Sequence, residues 1–159
     1  ERRPGNVPQF LDVDTTPVFI RGTMYVASFT AGLYALNPVN GTVKWRDAAF
    51  QGVTGLAAAG RMLVISSARR GISLMDLRTR EVMWEKAPER GVPTSPIVTE
   101  TGTVLYGETQ GSLLALSLAN GREVARAEGG AGFSAIPSVK GPFGGAISNG
   151  GRFLFLRIN

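Results

Sequence analysis

The sequence contains no cysteine and no histidine. Without thiols there can be no disulfide, no thiolate nucleophile and no cysteine-bound zinc. Without imidazole the usual general base and the commonest metal ligand are missing. Aspartate is scarce as well, confined to Asp12, Asp14, Asp47 and Asp76. No apolar run is long enough to cross a bilayer as a helix, and no signal peptide is visible. No segment carries a useful length of helical periodicity. Basic residues nowhere form a stripe interleaved with aromatics, so nucleic acid is not an expected partner.

What is present points to a packed domain. At 159 residues with 43% apolar content the chain can bury roughly 70% of its unfolded surface. The 21 Gly and nine Pro are spread along it as punctuation. The net charge is +5, and all but Lys44, Lys86 and Lys140 of the 17 basic residues are Arg. That excess serves solubility, or marks a face that meets an anionic surface. The opening Glu1-Arg2-Arg3-Pro4 reads as the interior of a longer chain.

The chain repeats itself at about forty residues. Trp45 and Trp84 are one interval apart, as are Gly32, Gly71, Gly111 and the pair Gly150-Gly151. Pro17, Pro96 and Pro137 keep the same phase, with Leu56 in the intermediate unit. Each unit holds short runs of Val, Ile, Leu, Tyr and Phe between turn residues, the signature of strands. Asn40-Gly41 and Asn120-Gly121 read as hairpin turns with both central residues at positive φ. The glycines near 32, 71, 111 and 150 read as a second tight turn. The Gly-rich stretch from Gly129 to Gly151 reads as an irregular last unit with a long turn near Gly141-Pro142.

Four strands in forty residues, repeated, is the pattern of a β-propeller blade, a sheet that buries its faces against its neighbours. The expected fold is all-β: four-stranded antiparallel blades at 15–50, 51–90, 91–130 and 131–159, the last incomplete, after a loop or linker at 1–14. The two Trp residues are expected to pack between blades, with Ala125 where the third would stand. Four blades are few for a closed ring. The exposed blade edges therefore invite a missing strand from Gln9–Val13, a further half-ring, or self-association.

The stretch "GLYALNPVNGTVKW" resembles the repeat of pyrroloquinoline-quinone (PQQ)-like propellers. More narrowly, "DVDTTPVFIRGTMYVASFTAGLYALNPVNGTVKW", followed by "TSPIV", "GETQGSLLALSLANGREVA" and "GFSAIPSV", resembles the BamB family, lipoproteins of the outer-membrane β-barrel assembly machinery. The resemblance runs from 12 to 158. It implies an eight-bladed ring of which these four blades are the C-terminal half. It also implies a place on the periplasmic side of the outer membrane of a Gram-negative bacterium, through a lipid anchor not in this chain. In that family the acidic pair of the motif lies on a loop that contacts BamA through a periplasmic domain. Asp12 and Asp14 match those two positions.

From the residues alone, Asp12 and Asp14 have two readings. At period-2 spacing they point the same way in an extended segment and can accept charge-assisted bonds from a partner. Alternatively one of them bonds the backbone at Thr15 or Thr16 as an Asx turn. The function expected is a non-enzymatic scaffold that binds a BamA-like partner and, at its sheet edges, unfolded outer-membrane protein strands. No catalytic residue, metal or cofactor is assigned. A quinoprotein dehydrogenase is disfavoured, because a calcium cage needs more carboxylates than the strands carry. A generic repeat-built interaction domain of another envelope protein shares the fold and differs in partner. Gly130-Ala131-Gly132-Phe133-Ser134-Ala135 fits a dinucleotide pattern only formally, since Pro137 follows and no helix does. Asn40-Gly41-Thr42 is a glycosylation sequon by pattern and a turn by position.

Overall fold

The structure is a computed structural model that describes Val13 and residues 15–158. Blade 1 runs β1 (Val18–Ile20), β2 (Thr23–Ser28), β3 (Gly32–Leu36), β4 (Val43–Asp47). Blade 2 runs β5 (Val53–Ala59), β6 (Met62–Ser67), β7 (Gly71–Asp76), β8 (Glu81–Lys86). Blade 3 runs β9 (Ile97–Val98), β10 (Thr103–Gly107), β11 (Leu113–Ser117), β12 (Glu123–Ala127). Blade 4 has three strands, β13 (Ser138–Lys140), β14 (Phe143–Ile147) and β15 (Phe153–Arg157). Every sheet is an antiparallel meander in chain order, and no helix occurs among the described residues. The first strand of each blade is innermost, where β5 touches both β1 and β9.

The cores lie between blades, because each sheet alternates its side chains between two neighbours. Tyr25, Ala27, Leu33 and Ala35 of blade 1 meet Val53, Leu56, Leu63 and Ile65 of blade 2. Val64, Ile72 and Leu74 on the opposite face of blade 2 meet Val104, Tyr106, Leu114 and Leu116 of blade 3. Leu105 and Leu113 of blade 3 meet Phe133 and Ala146 at blade 4. The innermost strand is also pinned from its start. Thr15 Oγ1 accepts the Ala27 N–H at 3.0 Å, and Thr94 Oγ1 accepts the Gly107 N–H at the same distance.

Three turn expectations are corrected. Asn40 and Asn120 do not take positive φ; only Gly41 (71°) and Gly121 (68°) do. Each hairpin between third and fourth strands is longer than two residues, with a register shift beside it at Ala35/Leu36, Leu74/Met75 and Ala115/Leu116. The asparagine serves through its side chain: Asn40 Oδ1 accepts the Thr42 N–H and Asn120 Oδ1 that of Arg122. The equivalent residue in blade 2 is Thr79, whose hydroxyl accepts the Glu81 N–H. Arg80 then holds positive φ, 62°, where the other blades use glycine.

The second correction concerns phase. Gly32 and Gly71 open the third strand of their blades at positive φ, but Gly111 lies one residue earlier, inside the turn. The bond from Glu108 N–H to Ser112 O sets the register there, so Ser112 is the true counterpart. Gly111 is instead the residue whose lack of a side chain admits the Glu108 carboxylate. The turn at Gly141-Pro142 is short, since β13 ends at Lys140 and β14 starts at Phe143. Irregularity in the last unit falls before β13, around the fully buried Phe133.

Candidate interaction surfaces

Three surfaces are left over once the blades have packed. The first is the outward face of blade 4. In blades 1 to 3 the third-strand residue that follows Gly32, Gly71 or Ser112 is sealed against the next blade: Leu33 and Ile72 are 0% exposed and Leu113 2%. Its counterpart in blade 4, Phe153, is 63% exposed, and Phe155 two residues on is 69% exposed. Phe143 and Ile147 on β14 and Ile136 before β13 extend the same apolar face. Phe143 and Phe155 stack on one another with centroids 5.8 Å apart. This is a blade-facing surface that no blade covers among the described residues, larger than scattered surface apolar residues require.

The second is the edge of β15 and the groove beside it. β15 pairs with β14 alone among the described residues, so its other backbone edge offers N–H and C=O groups to a further strand. A groove of about 460 Å³ runs between β12 and β15. Its origin is the loss of one indole. Trp45 stands opposite Ala35 and Trp84 opposite Leu74, whereas Ala125 stands opposite Ala115. The two indoles that are present each pack on the hairpin of the following blade. Arg80 lies over the Trp45 ring at 5.9 Å, and the Trp84 ring fills the space above Gly121, where a Cβ would come within 2.6 Å of it. Between blades 3 and 4 Ala125 stands in place of the indole, and the described residues hold no hairpin after β15 that could receive one.

The third is the loop side where the chain enters blade 1. Asp12 and Asp14 lie outside the described residues, as does most of the expected linker at 1–14 and most of Gln9–Val13. What is described brackets them: Val13 is exposed, and Thr15 is buried with its hydroxyl holding Ala27. The turn between second and third strands and the connector to the next blade meet at this end, through bonds such as Gly52 N–H to Phe29 O.

Charge is organised on the same end of the neighbouring blades. Lys86, Glu89, Glu123 and Arg126 form a clasp between blades 2 and 3. Arg126 reaches Glu89 and Glu123 at 2.8 Å each, and Lys86 reaches Glu89 at 2.9 Å. The Lys86 and Arg126 bonds hold the Glu89 carboxyl below its ordinary range, and Arg126 does the same for Glu123. Arg70 pairs with Glu85 at 2.7 Å and lies over the Phe50 ring at 4.5 Å. Glu108 is buried and accepts the Glu89 and Arg90 backbone N–H groups, tying this connector to blade 3. Sequence reasoning overlooked Glu108. Its signal is a charged residue inside the otherwise apolar "VLYGETQG" run. Among the described residues no cluster of acidic residues could hold a metal ion, and no helix is long and apolar enough to cross a membrane.

Known proteins share this arrangement. The family model described as "Outer membrane protein assembly factor BamB" matches residues 12–157. Outer membrane protein assembly factor BamB of Salmonella typhimurium is 24% identical over 86% of the chain, and that of Kangiella koreensis 27% over 79%. The chain spans about a third of the length of these relatives, 35% and 32%. Among solved structures, BamB from Moraxella catarrhalis superposes with a TM-score of 0.68 at 20% identity, over 92% of this chain and 43% of that one. The computationally designed Ika4 protein superposes with a TM-score of 0.82 at 11% identity, over 95% of this chain and 94% of that one. The designed Ika8 protein does so at 0.78 and 12%, over 46% of its own length. The structural likenesses establish a β-propeller, and the family match identifies its blades as PQQ-like. With the match over nearly the whole sequence, the chain belongs to the family of the outer membrane protein assembly factor BamB.

Proposed function

We propose that this chain is part of a non-enzymatic propeller scaffold for assembly of β-barrel proteins in the outer membrane, working on the periplasmic side. The observation that carries the reading is the family match from 12 to 157, which begins on the acidic pair itself. Asp12 and Asp14 are the proposed contact with a BamA-like partner. Thr15, which follows Asp14 in sequence, is buried and its hydroxyl holds Ala27 of blade 1. The carboxylates of Asp12 and Asp14 can accept charge-assisted bonds from Arg or backbone donors of that partner. A lipid anchor outside this sequence would hold the scaffold at the membrane. The test is capture by the periplasmic region of a BamA-like protein. Changing Asp12 and Asp14 together to Ala is expected to weaken capture at least tenfold while the β-sheet circular dichroism stays the same. Equal capture by the variant would remove the pair from the interface.

A second contact rests on the β15 edge. An extended apolar segment, such as an unfolded outer-membrane strand, can add to β15 through backbone bonds and lay alternate side chains into the groove beside Ala125. Peptides of alternating apolar and polar residues are expected to bind, and a proline at their centre to abolish binding, because it removes a ladder donor.

A further inference from the structure

The positive charge of the protein is not spread evenly over its two ends. One end gathers the turns between first and second strands and between third and fourth strands. They are tied together blade by blade through Leu77 N–H to Arg61 O and Leu118 N–H to Gly102 O. The first set of turns brings Arg21, Arg61 and Lys140 to this end, and the second brings Arg78, Arg80 and Arg122. Lys44 joins them through bonds to Gly22 O and Thr23 Oγ1, and Arg157 closes the row opposite Phe143. The acids at this end are few and partly withdrawn. Asp76 is buried under the Arg78 N–H, and Glu123 turns along its strand to Arg126. Glu81 and Glu100 remain.

On the opposite end Arg70, Lys86 and Arg126 are held in ion pairs, while Arg69, Arg90 and Arg152 enter none among the described residues. Here Arg61 pairs with Asp76 at 3.5 Å, and Glu123 pairs away from this end, with Arg126 and Lys86. Arg21, Arg78 and Arg122 are exposed and enter no ion pair among the described residues. The hairpin of blade 1 adds an apolar tip at the same level: Val39 is 91% exposed, beside the exposed Pro38.

We propose that this turn face docks on an anionic lipid surface, with Arg21, Arg78 and Arg122 among the headgroups and Val39 at the level of the acyl boundary. Separated, exposed guanidiniums around a protruding aliphatic tip match a fluid sheet of phosphates, and each such cation near an anionic bilayer strengthens binding about fivefold. Nucleic acid would instead call for a continuous track with stacking aromatics, and this face has none. The proposal is independent of the contact assigned to Asp12 and Asp14.

The experiment is co-sedimentation of the purified chain with phosphatidylcholine vesicles, with and without about 30% phosphatidylglycerol, a fraction that gives a negative surface. Binding is expected to require phosphatidylglycerol and to disappear at about 0.5 M salt, where screening shortens the reach of charge. The triple variant Arg21→Ser, Arg78→Ser, Arg122→Ser is expected to bind about a hundredfold more weakly. A matched variant, Arg69→Ser, Arg90→Ser, Arg152→Ser, carries the same net charge but is altered at the other end, and is expected to bind within about threefold of the parent. Equal losses in the two variants would show that net charge alone drives binding and overturn the proposal. So would binding to phosphatidylcholine alone, or displacement of vesicles by an equal charge of single-stranded DNA.

Discussion

The indole N–H of Trp84, on the outer strand of blade 2, donates to the carbonyl of Leu118 in blade 3 at 2.8 Å. One side chain therefore fixes the spacing of two sheets that share no backbone ladder. The ring lies against Gly121 of the same hairpin, so the bond and the close approach act together. Changing Trp84 to Phe keeps most of the packing and leaves the Leu118 carbonyl to water. The expected loss is about 1 kcal/mol, and about 3 kcal/mol for Trp84→Ala, because the ring is half-buried. Urea midpoints at unchanged slope measure both.

Gly121→Ala should cost more than its backbone alone explains. The new Cβ would meet the Trp84 ring, and φ at 121 is 68°. About 1 kcal/mol belongs to the left-handed conformation and the rest to the ring. In a Trp84→Ala background the steric part vanishes. A double-mutant cycle should show coupling of about 1 kcal/mol or more. Additive losses would mean that the hairpin and the indole do not touch.

Arg80 gives the opposite test. It holds positive φ at the position where Gly41 and Gly121 serve the other blades. Arg80→Gly is expected to stabilise the chain by up to about 1 kcal/mol, because relief of backbone strain exceeds the weak cation–π attraction between Arg80 and Trp45. Arg80→Ala keeps the strain and removes the attraction, so it should be no more stable than the parent. Thermal midpoints of the three proteins order them.

These residues also show what the sequence could and could not disclose. Blade number, strand order and the inter-blade place of Trp45 and Trp84 follow from periodicity, since a sheet must bury both faces and the repeat says against what. That blade 4 shows three strands among the described residues was legible for the same reason. The one-residue slip at Gly111 was not. Glycine is used there for the closeness of Glu108 rather than for φ, and a glycine looks the same in either role. The roles of Asn40 and Asn120 were misplaced because an asparagine beside a glycine suits two turn chemistries, and only the register shift beside it selects between them. The groove beside Ala125 follows from a Trp visibly lost from the repeat. The basic face was invisible because its cations are scattered in sequence and meet only through the common end of the turns.

Ala125→Trp restores the indole on the strand. With the groove of about 460 Å³ beside it, the ring has room without displacing backbone. The expected gain is about 1 kcal/mol from apolar area removed from water. The same variant should bind extended apolar peptides less well, because guest side chains and the indole compete for one space. A destabilised variant that still captures peptide would place the guest elsewhere.

The clasp between blades 2 and 3 sets a dependence on pH. Glu89 and Glu123 have their carboxyls held low by Lys86 and Arg126. A depressed carboxyl binds its proton less readily in the folded chain than in the unfolded one. Its stabilising contribution is therefore complete above the unfolded value, about 4.5, and is lost as pH falls through the lower folded value. Stability should be flat from about pH 8 to about 5 as far as these groups decide it, and decline below. The groups are substantially solvent-exposed, so the decline is modest and shrinks in salt. Arg126→Met removes the cation that both carboxylates share. Its urea midpoint should be lower at about pH 7 and fall less steeply between about pH 5 and 3 than that of the parent. Parallel curves for the two proteins would mean that acid acts through carboxylates elsewhere.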